Sequence, residues 1–259
     1  MVPPAIFACN DGVCLPNDWG LQLDAFEETV APFVENGTVV GIFLGDEKIC
    51  GGVPLRNYTA VLAHLRAAFG QCDCSLTVSV DECFSHSPRC DCGMYVGAGK
   101  SVLLYGNECG NTIGGGELPA ELDLFSFDVY DAQNTDGANE VALARSIAEK
   151  TIFPQLAPHQ KLLLVPGVYG NTPAACEKAG GSAAVCSLDA QAVQVVKKLD
   201  GFFEWAKAEG RIAGFNPWHF GHRASRQNSA IHDMEIGAVE MPSVLAKLRE
   251  IGQHIVGGN

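Results

Sequence analysis

Three apolar runs along the chain end in acid. Residues 39–45 lead into Asp46-Glu47, residues 101–106 into Asn107-Glu108, and Leu124-Phe125-Ser126-Phe127 into Asp128-Val129-Tyr130-Asp131. Runs this long, rich in Val, Ile, Leu and Phe, read as strands buried on both faces, as in a parallel sheet covered by helices. Between them the apolar period lengthens to that of a helix. Leu23, Phe26, Val30, Phe33 and Val34 recur at helical spacing over 21–34, and Asn36-Gly37 supplies the stop. A second helix is predicted over 57–69, with Val61, Leu62, Leu65 and Phe69 on one face.

Residues 70–100 break this rhythm with cysteines, glycines and one short strand signal at 76–80, and read as a disulfide-tied insertion. The alternation then resumes: a strand at 122–128, a helix at 139–153, a strand at 161–165, and a Gly/Ala/Cys loop. A long helix follows over 188–208, with Val193, Val196, Leu199, Phe203 and Ala206 in helical register. A strand at 212–215 runs into Asn216-Pro217-Trp218-His219, and a last helix covers 242–251. A short strand at 4–8 opens the series.

Strands alternating with helices of this length imply βαβ units and a parallel sheet. The expected fold is α/β: a (β/α)8-type barrel, incomplete or irregular because only six or seven strands are legible, forming one domain over 1–259. An open doubly wound sheet is the alternative, and it would carry a glycine loop after its first strand. No G-x-G-x-x-G or G-x-x-x-x-G-K-[ST] occurs, and Gly97-Ala98-Gly99-Lys100 precedes a strand where a phosphate cradle would open a helix.

At 259 residues and 47% hydrophobic, the chain matches the length of about 250 residues that one barrel needs. A net charge of -13 repels nucleic acid and anionic membranes, and no apolar run approaches the roughly 18 residues of a membrane span. Eleven cysteines in turn-rich stretches suggest an oxidising compartment. Cys9/Cys14 and Cys176/Cys186 look like local pairs. Cys72, Cys74, Cys83, Cys90 and Cys92, with His86 nearby, lack the C-x2-C spacing of a zinc site. The sequons Asn36-Gly37-Thr38 and Asn57-Tyr58-Thr59 fit a secreted glycoprotein, although the chain shows no signal peptide. Oligomeric state is left open.

The strand ends hold the candidate chemistry. Glycosidic cleavage needs a carboxylic acid to protonate the leaving oxygen and a second carboxylate as nucleophile or base, and barrels build such sites at strand C-termini. Glu47 and Glu108 are the expected catalytic pair. Asp46 would raise the pKa of Glu47 by like-charge repulsion, and Asn107 suits a sugar hydroxyl. Asp128, Tyr130, Trp218 and His219 complete a substrate-binding set, with Trp218 as a flat face for a sugar ring. The competing reading is that the acids only cap helices or bind loop amides. His219-x-x-His222 lacks a strong third metal ligand, and no G-x-S-x-G elbow appears, so neither a metal nor a cofactor is expected. His64, His159, His232 and His254 read as surface or packing residues.

The segments Gly41-Ile42-Phe43-Leu44-Gly45-Asp46-Glu47, Tyr105-Gly106-Asn107-Glu108, Phe125 to Asp131 and Gly214-Phe215-Asn216-Pro217-Trp218-His219 resemble the strand-end motifs of glycoside-hydrolase-like TIM barrels. Secreted, poorly characterised eukaryotic members are the nearest in character. The Asn107-Glu108 pair is similar to the acid/base motif of clan A retaining glycosidases, which implies that role for Glu108. That clan places its nucleophile late in the barrel, whereas the late strand here ends in Trp218-His219, so the partner would be Glu47 or Asp128. The resemblance implies hydrolysis of an oligo- or polysaccharide without metal. The alternative is a non-catalytic carbohydrate-binding protein on a degenerate barrel.

Overall fold

A computed structural model of the chain describes residues 15–46, 55–69, 77–83, 94–95, 104–105, 119–128, 137–178, 180–218, 221 and 235–257. In order, the elements are α1 (Trp19–Glu35), β1 (Gly41–Asp46), α2 (Leu55–Phe69), β2 (Thr77–Cys83), β3 (Met94–Tyr95), β4 (Leu104–Tyr105), β5 (Leu124–Asp128) and α3 (Gly137–Ile147). A π turn (Ala148–Ile152) and a 3-10 turn (Phe153–Gln155) precede β6 (Lys161–Val165), β7 (Gly170–Asn171), α4 (Pro173–Lys178) and α5 (Ala183–Cys186). The chain continues through α6 (Leu188–Ala208), β8 (Ile212–Phe215), β9 (Glu235–Ile236), a 3-10 turn (Ala238–Glu240) and α7 (Pro242–Gly257). Among the described residues no helix is long and apolar enough to cross a membrane. Contacts group the chain into two compact units: Met1–Asp128 with Ala148–Leu163, and Val129–Ile147 with Leu164–Asn259.

In the first unit α1 packs against α2. Leu23 and Val34 of α1, with Tyr58, Val61, Leu62, Leu65 and Phe69 of α2, are buried, each large apolar side chain contributing about 1.5–3 kcal/mol. Phe33 has the right spacing but sits beside the buried stripe and is exposed. Helix α1 ends as its sequence predicts: Gly37 takes φ +75°, a left-handed conformation that costs glycine nothing. The sheet runs β1–β2–β5 in parallel, with Gly41, Ile42 and Phe43 opposite Thr77, Val78 and Ser79, and Ser79 to Cys83 opposite Leu124 to Asp128. β6 begins beside β5, Lys161 N–H donating to Asp123 O at 2.8 Å.

Two expectations change here. β2 lies within the stretch read as an insertion, yet it is an inner strand of the sheet, between β1 and β5. Its Thr77-Val78-Ser79-Val80 alternation is too polar to announce burial on both faces, and its neighbours in sequence are turn formers. Among the described residues, the run before Asn107-Glu108 contributes β4, which pairs antiparallel with β3 in a separate two-stranded sheet. The expectation that this strand joins the parallel sheet is therefore not met.

The N-terminal edge of the sheet is fastened by polar side chains. Arg66 donates from Nε and Nη2 to Glu121 O at 2.9 and 2.7 Å and pairs with Asp123. Buried Gln160 donates to Pro119 O and Leu122 O at 2.7 and 3.0 Å and accepts from Ala157 N–H at 2.9 Å. The buried Gln160 amide thereby uses its acceptor and its donors, as burial demands.

The second unit is organised by α6, which packs against α3 and α7. Its core joins Val168, Ala192, Val195, Leu199, Ala238, Met241, Val244 and Ile251. The buried face of α6 includes Ala192, Val195, Leu199, Phe202 and Trp205, and Val193 is exposed. The apolar positions predicted for α6 are thus partly displaced, because the helix is apolar on more than one side. Gly201 permits the approach of α3: a Cβ there would stand 3.0 Å from Val141 Cγ2. Cys176 and Cys186 form the expected disulfide, with Cα atoms 5.5 Å apart, and join α4 to α5.

Candidate active site

Parallel strands present all their C-termini to one edge, so the acids that close them gather there. In the first unit Asp46 ends β1 and stands opposite Asp81 of β2, after a register shift that begins past Phe43. Asp128 ends β5 and stands opposite Cys83, the last residue of β2. Strand spacing of about 4.8 Å makes Asp46 and Asp81 neighbours; Asp128 lies two strands away and two residues further along, about 12 Å from Asp46 at the backbone. The structure thus brings Asp46 and Asp128 to one edge. Glu47, Asn107, Glu108, Tyr130 and His219 lie outside the described residues.

Trp218 belongs to the second unit. It follows β8 and bridges in parallel to Gly167, beyond the end of β6. Its N–H donates to Pro166 O at 3.0 Å, and its carbonyl accepts from Val168 N–H. Behind this loop lies a buried ion pair. Lys198 Nζ, on α6, donates at 2.8 Å both to Glu140 Oε2, on α3, and to Gly167 O. Glu140 Oε1 accepts from Gly167 N–H at 3.4 Å. The two side chains are 1% and 0% exposed, so both charges depend on each other and on the Gly167 peptide. The pair fixes the main chain against which Trp218 is bridged.

No protein-family model matches this chain, and no curated protein matches it. Among solved structures it is similar to a GH113 β-1,4-mannanase, with a TM-score of 0.48, 12% identity, and coverage of 95% of this chain and 66% of that one. A complex of a GH113 β-1,4-mannanase gives 0.46, 12%, 95% and 67%. The GH113 β-mannanase AaManA from Alicyclobacillus acidocaldarius, in complex with ManMIm, gives 0.44, 14%, 90% and 63%. The chain spans about two thirds of the length of these proteins. Likeness this slight carries no argument about chemistry, which rests instead on the chain's own strand ends.

Sequence reasoning passed over Asp81-Glu82. The signal was present: residues 76–80 run into Asp81-Glu82 as residues 39–45 run into Asp46-Glu47, and the pairing sets Asp46 level with Asp81. It also passed over Glu140 and Lys198, whose only mark is a lysine within the apolar face of α6. Among the described residues, one group of side chains has metal-ligand chemistry at close range: Asp24, Glu27 and His64.

Proposed function

We propose that the chain is a glycoside hydrolase, a single (β/α)-barrel domain cleaving an oligo- or polysaccharide with two carboxylates, Glu47 and Glu108. The observation that supports this reading is the acid edge: Asp46 and Asp128 close β1 and β5, and Asp81 and Glu82 lie in the last three residues of β2 between them, on one side of the sheet. Packing gives no reason for acids near the C-termini of three neighbouring strands, whereas glycosidic cleavage needs a pair of them. One carboxylic acid protonates the leaving oxygen, and the other attacks the anomeric carbon or draws a proton from water. Asp46, Asn107, Asp128, Tyr130, Trp218 and His219 bind the sugar. Glu82 joins the candidates for partner because Asp81-Glu82 near the end of β2 repeats the Asp46-Glu47 step of the sequence, and Asp81 pairs with Asp46. Carboxylates from neighbouring strands, about 5 Å apart, match the separation of retaining enzymes, and those from alternate strands approach the roughly 6.5–9.5 Å of inverting ones. The Cys176–Cys186 disulfide supports a secreted protein.

The test is turnover of a glycan panel, β-1,4-mannan among its members, by wild type and by Glu47→Gln, Glu82→Gln and Glu108→Gln. Loss of a nucleophile or general acid should cost at least about 1,000-fold with the fold intact by circular dichroism. Activity within about tenfold of wild type removes that residue from the mechanism. Binding of a glycan by wild type without turnover of any would replace the enzyme with a carbohydrate-binding protein.

A further inference from the structure

Asp24 and Glu27 are three residues apart on α1 and therefore neighbours on its surface. His64, on the helix packed against it, places Nε2 3.0 Å from Asp24 Oδ1 and 3.4 Å from Glu27 Oε1. The three ligand atoms lie within 4.8 Å of one another. One ring nitrogen thus faces two carboxylate oxygens, and a single N–H satisfies one of them. It is hydrogen-bonded to Asp24, while Glu27 Oε1 is buried and accepts no hydrogen bond. The Glu27 side chain is 14% exposed. Burial pushes its carboxyl above the ordinary range, His64 pulls it back, and Asp24 raises it again. Left to these three side chains, Glu27 Oε1 has only the shared His64 nitrogen at 3.4 Å and no hydrogen bond.

Donor atoms 3.0 and 3.4 Å apart are at the spacing of ligands around an ion with bonds of about 2.0–2.2 Å. Trp19 holds the imidazole edge-on, ring centroids 5.5 Å apart and planes at 66°, and so restricts where Nε2 points. A groove of about 310 Å³, lined in part by Asp24, Glu27, Glu28 and Glu35, gives waters room to complete a coordination sphere. Two carboxylates neutralise a dication, and the imidazole favours a transition metal over the oxygen-seeking Ca²⁺ and Mg²⁺. We infer that Asp24, Glu27 and His64 form a binding site for a divalent transition-metal ion of the Zn²⁺ class, which ties α1 to α2.

The test titrates Zn²⁺, and Co²⁺ as a spectroscopic stand-in, into chelator-treated full-length chain by calorimetry and visible absorption. Wild type should bind one equivalent that His64→Gln and Glu27→Gln lose or hold at least about 30-fold more weakly, as expected when a protein ligand is removed. That equivalent should raise the Tm of wild type and leave the Tm of the variants unmoved. Its Co²⁺ spectrum should lack thiolate charge-transfer bands, which separates it from binding by free cysteines. Asp24 is 59% exposed, so Asp24→Asn carries the same test should a substitution at Glu27 impair folding. Equal stoichiometry and affinity in wild type and His64→Gln would overturn the site. So would wild type that binds no equivalent tighter than about 100 μM.

Discussion

Lys198 with Glu140, and His64 with Asp24 and Glu27, both draw carboxylates out of water, and they balance the charge differently. In the second unit one cation meets one anion, and the Gly167 peptide supplies both a donor and an acceptor for what remains. In the first, a single imidazole nitrogen is shared between two acids, and Glu27 Oε1 stays without a hydrogen bond. A closed account fixes geometry, here that of the loop bridged to Trp218. An open one leaves a place for something not supplied by the chain. Burial by itself does not distinguish a structural ion pair from a binding site; the balance of donors and acceptors does.

The largest effect expected from this contrast follows loss of Lys198. Lys198→Met leaves Glu140 buried without its cation, which should cost about 3–5 kcal/mol in urea unfolding. Pairing it with Glu140→Leu removes both charges and should restore much of that loss. A single-variant cost below about 1 kcal/mol would mean that the pair does not hold the loop.

Glu27→Gln should act in the opposite direction. A carboxyl whose folded-state pKa is raised binds protons more readily folded than unfolded, so stability falls as pH climbs above its ordinary value of 4.5. Replacing it should raise the Tm of metal-free protein at neutral pH, and the gain should vanish below about pH 4.5. A Tm below that of wild type at pH 7 in the presence of chelator would place Glu27 with Glu140, as an acid already satisfied.

The same contrast explains what the amino-acid pattern could announce. Apolar periodicity located α1, α2, β6, α6, β8 and α7, because burial of a stripe is a local property of the sequence. It misjudged β2, where Thr77 and Ser79 dilute the apolar signal of an inner strand, and it placed the strand before Asn107 in the parallel sheet, whereas the described β4 pairs antiparallel with β3. The acids at β1 and β5 were legible as misfits at strand ends. Asp81-Glu82 carried the same mark, but its strand signal at 76–80 was assigned to an insertion and not to the main sheet. The Glu140–Lys198 and Glu27–His64 pairings join residues 58 and 37 positions apart, a separation that no local pattern encodes.

The smallest effect belongs to an ion pair at the surface, which shows what balance achieves when water competes. Arg211 donates from Nε and Nη2 to the two carboxylate oxygens of Glu209, each at 2.7 Å. This side-chain contact, ahead of burial in the opposite sense and the Arg211 main-chain N–H, brings the Glu209 carboxyl from 4.5 down to about 2. A depressed folded-state pKa stabilises the fold above the unfolded value, and that contribution is lost as pH falls from about 4.5 towards 2. Arg211 is 48% exposed, so solvent and salt screen the pair, and Arg211→Met should cost only about 0.2–1 kcal/mol at neutral pH. The cost should shrink in 1 M salt, where the Debye length falls to about 3 Å, and disappear near pH 2. Carboxyl-detected NMR should find the Glu209 midpoint moving up towards 4.5 in the variant. A midpoint that stays near 2 would assign the depression to the remaining contacts of Glu209, Arg145 among them, and would remove the surface pair from the series.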